Sequence, residues 1–158
     1  MKIAHLCLSC FYIDGFSYQE NEIVRQNVSD GHDVIVIAST ESFTDDRVLG
    51  YLPAGTYKGQ EGAYVERVAY KHILSHTISR KLRRHAGIYK KLADFEPQII
   101  LFHGACGAEI ATAAKYVRDH PEVKLYVDSH EDSYNSATNF ISKWLLHYSY
   151  YRPILLRA

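Results

Sequence analysis

The sequence has few cysteines, no net charge and no long apolar run. Three cysteines in 158 residues are an odd and low number, which argues against a disulfide framework. The 18 Lys and Arg residues balance 18 Asp and Glu residues, which disfavours both a disordered chain and a general nucleic-acid binder. A transmembrane helix needs about 18 consecutive apolar residues, and the uncharged apolar runs are much shorter. The first apolar run is also too short for a signal peptide, so we expect a cytoplasmic location.

The composition is that of a globular domain, with 47% hydrophobic and 23% charged residues. Because domains typically hold ~100–200 residues, the length predicts one domain over residues 1–158. That length is short for an enzyme that binds two substrates between two domains. We therefore expect a fold that is complete and a catalytic site that needs a further domain.

Cys7 and Cys10 form a C-x-x-C pair, a spacing that occurs in redox and metal sites. A redox pair normally opens a helix, whose dipole lowers the thiol pKa. Here Cys7 lies in a predicted strand and Cys10 precedes a loop, so we favour packing cysteines. His103 and His130 together are a possible metal pair, but no H-E-x-x-H or repeated C-x-x-C spacing supports one. No metal is predicted.

Short apolar strands alternate with amphipathic helices along the chain. The predicted strands are Ile3–Ser9, Val34–Ala38, Tyr64–Tyr70, Ile99–Phe102 and Leu125–Val127. The predicted helices run from near Tyr18 to Gly31, and over Ile78–Phe95, Ala108–Arg118 and Thr138–Tyr151, the last ended by Pro153. This order predicts an α/β fold, a three-layer sandwich with a mainly parallel sheet and helices on both faces.

Several segments have finer expectations. Ser17 and Glu20 have the spacing of a capping box for the first helix. Residues 40–62 are rich in turn formers and are predicted to be irregular. The third strand carries Glu66 and Arg67, and is therefore predicted to be an edge strand.

Ligands of such sheets bind beyond the carboxyl ends of the strands, so the loops at that edge are the candidates. The loop after the first strand holds Asp14 and Gly15 and leads into a helix N-terminus, which suits a phosphate. A full G-x-G-x-x-G is absent, and an ordinary capped loop is the alternative. After the fourth strand, His103 could donate a hydrogen bond to a sugar hydroxyl, and Gly104 allows a close approach of the backbone.

The segment 128–135, after the fifth strand, is the densest group of polar residues in the chain. His130 is a candidate general base or orienting group, with Asp128, Glu131 or Asp132 as a partner carboxylate. A solvated acidic loop is the alternative.

Charge is distributed unevenly along the chain. Between Val68 and Ala93 there are seven Lys and Arg residues and no acidic residue. This run predicts a basic helix face near residues 80–91 that could meet an anionic substrate, a membrane surface or RNA. The alternative is the solvated face of an ordinary helix.

The chain resembles the N-terminal domain of a retaining GT-B glycosyltransferase of family 4 (glycosyltransferase group 1). The resemblance spans nearly the whole chain and rests on the order and spacing of several motifs. These motifs are the opening strand Met1–Leu6, the loop into Tyr18–Asn21, Gly31–Val34 with the strand up to Ser39, the strand Pro97–Gly104, and Val127–His130.

This resemblance implies a Rossmann-like domain on the acceptor side of a two-domain enzyme, whose C-terminal nucleotide-sugar-binding domain is absent from this chain. It implies transfer of a sugar from a nucleotide diphospho-sugar to a glycan or lipid-linked acceptor, with retention and without a metal or other cofactor. The implied site consists of the catalytic His130, the donor-phosphate loop Gly15, Phe16, Ser17 and Tyr18, and the acceptor-binding residues Asp14, His103, Gly104, Asp128, Glu131 and Asn135.

The implied partners are the two substrates and the missing domain, with peripheral contact to the cytoplasmic face of a membrane through the basic helix, and no nucleic acid. Two alternatives stay open. One is a self-contained flavodoxin-like or hydrolase domain that uses His103, Cys106 and His130. The other is a non-catalytic module that binds an anionic partner through the basic helix.

Overall fold

The computed structural model describes residues 1–44, 48–72, 75–129 and 141–158. The strands are β1 (Lys2–Cys7), β2 (Asp33–Ser39), β3 (Glu41–Phe43), β4 (Leu49–Tyr51), β5 (Gly55–Lys58), β6 (Tyr64–Val68), β7 (Ile99–His103) and β8 (Lys124–Asp128). The helices are α1 (Gln19–Ser29), α2 (His76–Leu82), α3 (Ile88–Phe95), α4 (Ile110–Asp119) and α5 (Arg152–Arg157), with a π-helical segment (Ile141–Tyr151) before α5. No helix within the described ranges is long and apolar enough to cross a membrane.

The main sheet has the strand order β5-β6-β2-β1-β7-β8. Strands β6, β2, β1, β7 and β8 are parallel, and β5 pairs with β6 in the antiparallel sense. The order of the parallel strands is that of the Rossmann fold, and it differs from the flavodoxin order. The predicted α/β sandwich is confirmed. The strand order reverses between β1 and β7, so a crevice is expected beyond their carboxyl ends.

Two apolar cores lie on opposite faces of the sheet. On one face, α1 packs through Val24 against Val34, Val36 and Val65. On the other face, α3 and α4 cover a larger core. That core includes Leu6, Ile37, Leu92, Ile100, Phe102, Ile110 and Tyr116. Continuous apolar strands such as β1 and β2 are what a sheet covered on both faces requires.

The predicted irregular segment 40–62 is more ordered than its composition suggests. It forms the hairpin β3–β4 and the strand β5, which lies outside β6. The third parallel strand, β6, is therefore not at the edge of the sheet, contrary to the prediction. The two charged residues of β6 have other roles. Glu66 forms an ion pair with Lys91 of α3, and Arg67 lines a cavity that is described below.

The predicted helix Ile78–Phe95 is two helices, α2 and α3. The break spans Arg83 and Gly87, both of which have positive φ angles, +46° and +72°. Between them, His85 forms a backbone bridge with Tyr70, and its N–H donates to Glu109 at 2.8 Å. These tertiary contacts override a helical pattern that is continuous in the sequence.

One predicted cap and one predicted helix end are wrong. Helix α1 starts near Tyr18, as predicted, but its N-cap residue is Tyr18 and makes no side-chain cap hydrogen bond to a described residue, so the capping box of Ser17 and Glu20 does not form. The C-terminal helix does not end at Pro153, because Pro153 lies in the first turn of α5. The missing N–H of proline costs nothing there.

Candidate functional site

A polar and aromatic cavity of about 530 Å³ lies at the carboxyl edge of the sheet. One wall is the loop after β1, and the other comes from β3 and β5 of the segment between β2 and β6. The lining residues are Ile13, Asp14, Phe16, Tyr18, Ser42, Phe43, Thr44, Leu52, Tyr57, Gln60 and Arg67. A concave site with aromatic walls and a few polar groups is the usual form of a small-molecule site.

The buried carboxylate of Glu61 holds the loop after β1 in place. It accepts hydrogen bonds from the Tyr12 hydroxyl, the Gly15 N–H and the Asn21 side-chain amide, each at 2.9 Å. Gly15 has a φ of +76°, and a side chain there would overlap Gln60, so only glycine fits. A protein carboxylate thus already binds the Gly15 N–H that was predicted to face a phosphate.

Asp14 lies beside Glu61, and the two carboxyls differ in acidity. Burial raises the pKa of Asp14, the Gln60 N–H lowers it, and the hydrogen bond with Glu61 raises it again, with a net increase. Burial also raises the pKa of Glu61, but hydrogen bonds from Asn21, Asp14 and Tyr12 outweigh this effect and lower it. When the pair binds one proton, Asp14 therefore takes it, and Glu61 keeps the charge.

Arg67 forms the cationic part of the cavity wall, although the residue is only 2% exposed. Its Nε–H and Nη2–H donate to the Tyr57 hydroxyl at 3.2 and 3.1 Å, and its Nη1–H donates to the Ser39 carbonyl at 3.1 Å. The guanidinium also lies 5.7 Å from the ring centre of Tyr12. Every one of these partners is neutral.

A second polar cluster lies between β1, β7 and β8. His103 Nε2 lies 3.0 Å from Nδ1 of His5, and His103 Nδ1 lies 2.6 Å from the Asp128 carboxylate. The other Asp128 oxygen accepts the Gly104 N–H at 2.9 Å. His103 is 1% exposed, so it lies behind the edge of the sheet with both ring nitrogens engaged. A hydrogen bond from His103 to an acceptor sugar would require one of these bonds to be exchanged.

The crevice between β1 and β7 is narrow. Arg83 reaches across it and donates to the carbonyls of Ser9 and Cys106, at 2.5 and 3.3 Å. The Ser9 hydroxyl is buried without a hydrogen-bond partner among the described residues, and it lies where a side chain at Gly107 would project. Glycine at position 107 therefore lets the turn after β7 pack directly on the end of β1.

The structure separates the predicted site residues into two groups. Asp14, Phe16 and Tyr18 line the cavity, Gly15 lies in the same loop, and Ser17 is exposed. The second cluster, between β1, β7 and β8, contains His103, Gly104 and Asp128. The remaining predicted residues, His130, Glu131 and Asn135, lie outside the described residues.

Several residues of both clusters were not predicted. Tyr57, Gln60 and Glu61 were assigned to an irregular segment, and Arg67 was interpreted as a mark of an edge strand. The usable signal for Arg67 was a pair of charged residues, Glu66 and Arg67, between the valines of one strand. His5, in the middle of the buried strand β1, gave the same kind of signal for the second cluster.

The basic run does not form one helical face. Arg80 donates to the buried Glu41 at 2.5 Å, Lys90 pairs with Asp94, and Lys91 pairs with Glu66. Three further cations of the run are exposed and form no ion pair with a described residue. They are Lys71, Lys81 and Arg84.

Comparison of the chain with family models, with curated proteins and with solved structures finds no match. Within the described ranges, no group of three or more His, Cys, Asp or Glu side chains is arranged to hold a metal ion. The strand order and the two polar clusters therefore define the class, which is a Rossmann-like α/β domain with a ligand-sized cavity at its carboxyl edge.

Proposed function

We propose that this chain is the acceptor-side domain of a retaining GT-B glycosyltransferase of family 4. The observation that carries the proposal is the cavity at the carboxyl edge, where aromatic rings and the Asp14 carboxyl face the same space. A sugar has an apolar C–H face and a polar rim of hydroxyls, and such a wall complements both. The acceptor would bind in this cavity, with one hydroxyl hydrogen-bonded to Asp14.

Asp14 has the chemistry that this role needs. A carboxylate whose pKa is raised by burial is a better proton acceptor near neutral pH than an exposed one. Its hydrogen bond from the Gln60 N–H, at 3.0 Å, fixes the carboxyl against the cavity wall. Asp14 would therefore orient the acceptor hydroxyl and polarise it for attack on the sugar.

The donor diphosphate would lie beside residues 15–18 at the N-terminus of α1, where the side chain of the N-cap residue Tyr18 makes no cap hydrogen bond; the Gly15 N–H, which Glu61 binds, would not contact the diphosphate. His130, two residues beyond the end of β8, would complete the catalytic site, and no metal or cofactor is required. The enzyme would act in the cytoplasm, with membrane contact through exposed cations such as Lys81 and Arg84.

The test uses the natural full-length protein with UDP-, GDP- and ADP-sugars and a panel of saccharide acceptors. We expect acceptor-dependent release of the nucleoside diphosphate with at least one donor. Asp14→Asn keeps the oxygen that accepts the Gln60 N–H, so the fold should survive. The rate should fall about 100-fold, the typical contribution of a positioned acid or base.

Asp94→Asn is the matched control, because Asp94 lies on the exposed side of α3 and forms only a surface ion pair with Lys90. It should leave the rate unchanged. The proposal is contradicted if no donor releases a nucleoside diphosphate, or if Asp14→Asn transfers sugar as fast as the wild type.

A further inference from the structure

Arg67 is a buried cation without a counter-ion among the described residues. No carboxylate oxygen in ranges 1–44, 48–72, 75–129 and 141–158 lies within 4 Å of its guanidinium. Its hydrogen bonds go to a phenol and a peptide carbonyl, and a guanidinium has more N–H donors than these bonds use. Burying a charge is costly unless an opposite charge compensates it.

The acidic groups of the loop after β1 and of its neighbourhood compensate this charge only in part: burial raises the pKa of Asp14 by more than Arg67 lowers it. The Glu61 carboxylate binds Tyr12, Gly15 and Asn21, with Arg25 as its closest cation at 3.8 Å. Asp14 is hydrogen-bonded to Glu61 and to the Gln60 N–H. Arg67 therefore has a charge and N–H donors that can bind a ligand in the cavity.

The walls on either side of Arg67 are aromatic. Tyr57 lies against the guanidinium, with its ring centre 6.0 Å away. Phe16 and Phe43 line the same cavity and are 40% and 37% exposed, which is unusual for large apolar rings that lie together in a concave site. A flat or ring-shaped ligand body would cover these rings.

We infer that the cavity binds a ring-shaped ligand that carries an oxyanion, with the carboxylate or phosphate at Arg67 and the ring against Phe16, Phe43 and Tyr57. This inference rests on the proposed function, because the ligand would be the acceptor. It narrows the acceptor to acidic or phosphorylated sugars.

Binding can be tested with the 158-residue chain and four probes: D-glucose, D-glucuronate, D-glucose 6-phosphate and inorganic phosphate. The readout is the Arg67 Nε–H signal in a ¹H–¹⁵N spectrum, which reports directly on the guanidinium. We expect at least one anionic sugar to shift this signal and to bind about tenfold tighter than glucose, because hydrogen bonds to charged groups are the stronger ones. The preferred anionic sugar identifies the oxyanion as a carboxylate or a phosphate.

Three results would overturn the inference. They are equal affinity for glucose and both anionic sugars, no shift of the Arg67 signal at millimolar probe, and binding of inorganic phosphate as tight as that of glucose 6-phosphate. The last result would mean that the rings contribute nothing.

Variants provide a second test. Arg67→Met should abolish the preference for the anionic sugar, whereas Arg118→Met, which removes an exposed arginine from α4, should retain it. If Arg67→Met does not fold, Phe16→Ala gives the answer, since Phe16 is at the exposed rim. Phe16→Ala should weaken binding of the anionic sugar about tenfold, the cost of losing a ring contact. Unchanged affinity in that variant would show that the ligand does not bind in this cavity.

Failure of this inference and failure of the proposed function give different results. Sugar transfer by the full-length protein to neutral acceptors, without preference for acidic ones, would leave the glycosyltransferase proposal standing and overturn the anion site. Anion-dependent binding in the cavity without any nucleoside diphosphate release would leave the anion site standing and overturn the glycosyltransferase proposal.

Discussion

His5 Nδ1 lies 3.0 Å from His103 Nε2, and this contact fixes the proton positions along a buried chain. The Asn27 side chain faces His5 with its Nδ2 nitrogen, which donates, so His5 Nε2 accepts from it, at 3.0 Å. The His5 proton is then on Nδ1 and is donated to His103. The His103 proton is consequently on its own Nδ1 and is donated to the Asp128 carboxylate. His5 is neutral in this arrangement, in agreement with its lowered pKa.

We expect both histidines to show the Nδ1–H tautomer in long-range ¹H–¹⁵N spectra at pH 7.5. Asn27→Asp should change this, because an aspartate at position 27 accepts a proton from His5 Nε2. His5 would then donate at both nitrogens and become an imidazolium, with a raised pKa. Ser29→Asp adds the same charge at an exposed position on α1 and is the control. An Nε2–H tautomer of His5 in the wild type would contradict this order of hydrogen bonds from Asn27 to Asp128.

Acid should destabilise the fold well before the carboxylates are protonated. Burial, and then the nearby His103, lower the pKa of His5 to about 3. Burial also lowers the pKa of His85 to about 4, and the backbone of Arg83 offsets only part of this effect. The unfolded chain protonates these groups near pH 6.5, so it binds more protons than the folded chain below that pH.

Stability should therefore be full well above pH 6.5 and fall as the pH drops below 6.5, down to about pH 4 for His85 and about pH 3 for His5, by up to about 1.4 kcal/mol per pH unit for each histidine. Urea unfolding at pH 7.5, 6 and 5 measures this loss. His85→Phe should remove one histidine's share of the slope, whereas a change at the exposed His72 (His72→Gln) should not. A slope that His85→Phe leaves intact would show that His85 does not titrate as described.

The contact between Ser9 and Gly107 can be measured by a double-mutant cycle. Gly107→Ala places a methyl group onto the Ser9 hydroxyl, and overpacking of this kind costs about 1–3 kcal/mol. Ser9→Ala should be nearly neutral, because the hydroxyl has no partner to lose. The double variant should recover most of the loss in urea unfolding. A double variant as unstable as Gly107→Ala alone would refute this account.

Removal of the Glu61 charge should loosen the loop after β1. In Glu61→Gln, at least one of the donors Tyr12, Gly15 and Asn21 faces an NH₂ group instead of an oxygen. Leaving a buried donor unpaired costs about 1–3 kcal/mol, which urea unfolding detects. The exposed Glu122→Gln is the matched control and should change stability by less than about 0.5 kcal/mol. Equal effects of the two variants would count against the role of Glu61.

The parallel strands were predictable because burial on both faces leaves a direct mark on the sequence. Runs such as Val34–Ala38 are apolar at every position, and glycine at position 31 marks the end of α1, where its φ is +78°. The break at Arg83–Gly87 left only one such mark, the glycine at position 87, within an otherwise helical pattern. It depends on the pairing of His85 with Tyr70 and Glu109, which are distant in sequence.

The candidate site was predictable only in part, for a related reason. Asp14, Phe16 and Tyr18 follow β1, and topology alone places that loop at the carboxyl edge. Tyr57 and Gln60 reach the same cavity from a segment whose composition is typical of turns, and Arg67 reaches it from a strand that was predicted to lie at the edge of the sheet. Their role depends on the pairing of β5 with β6, and strand pairing between such short elements is not encoded by local propensity.

The segment between β2 and β6 contains no helix among its described residues, and it supplies about half of the cavity wall. The sheet itself depends on β6, β2, β1, β7 and β8, whose pairing does not involve β3 or β4. Changes in the length and side chains of this segment can thus alter what the cavity accepts without altering the register of the parallel strands. The part of the cavity wall that comes from β3 and the residues around it can therefore vary separately from the pairing of the parallel strands, which makes this part a natural place for evolution or an engineer to alter specificity.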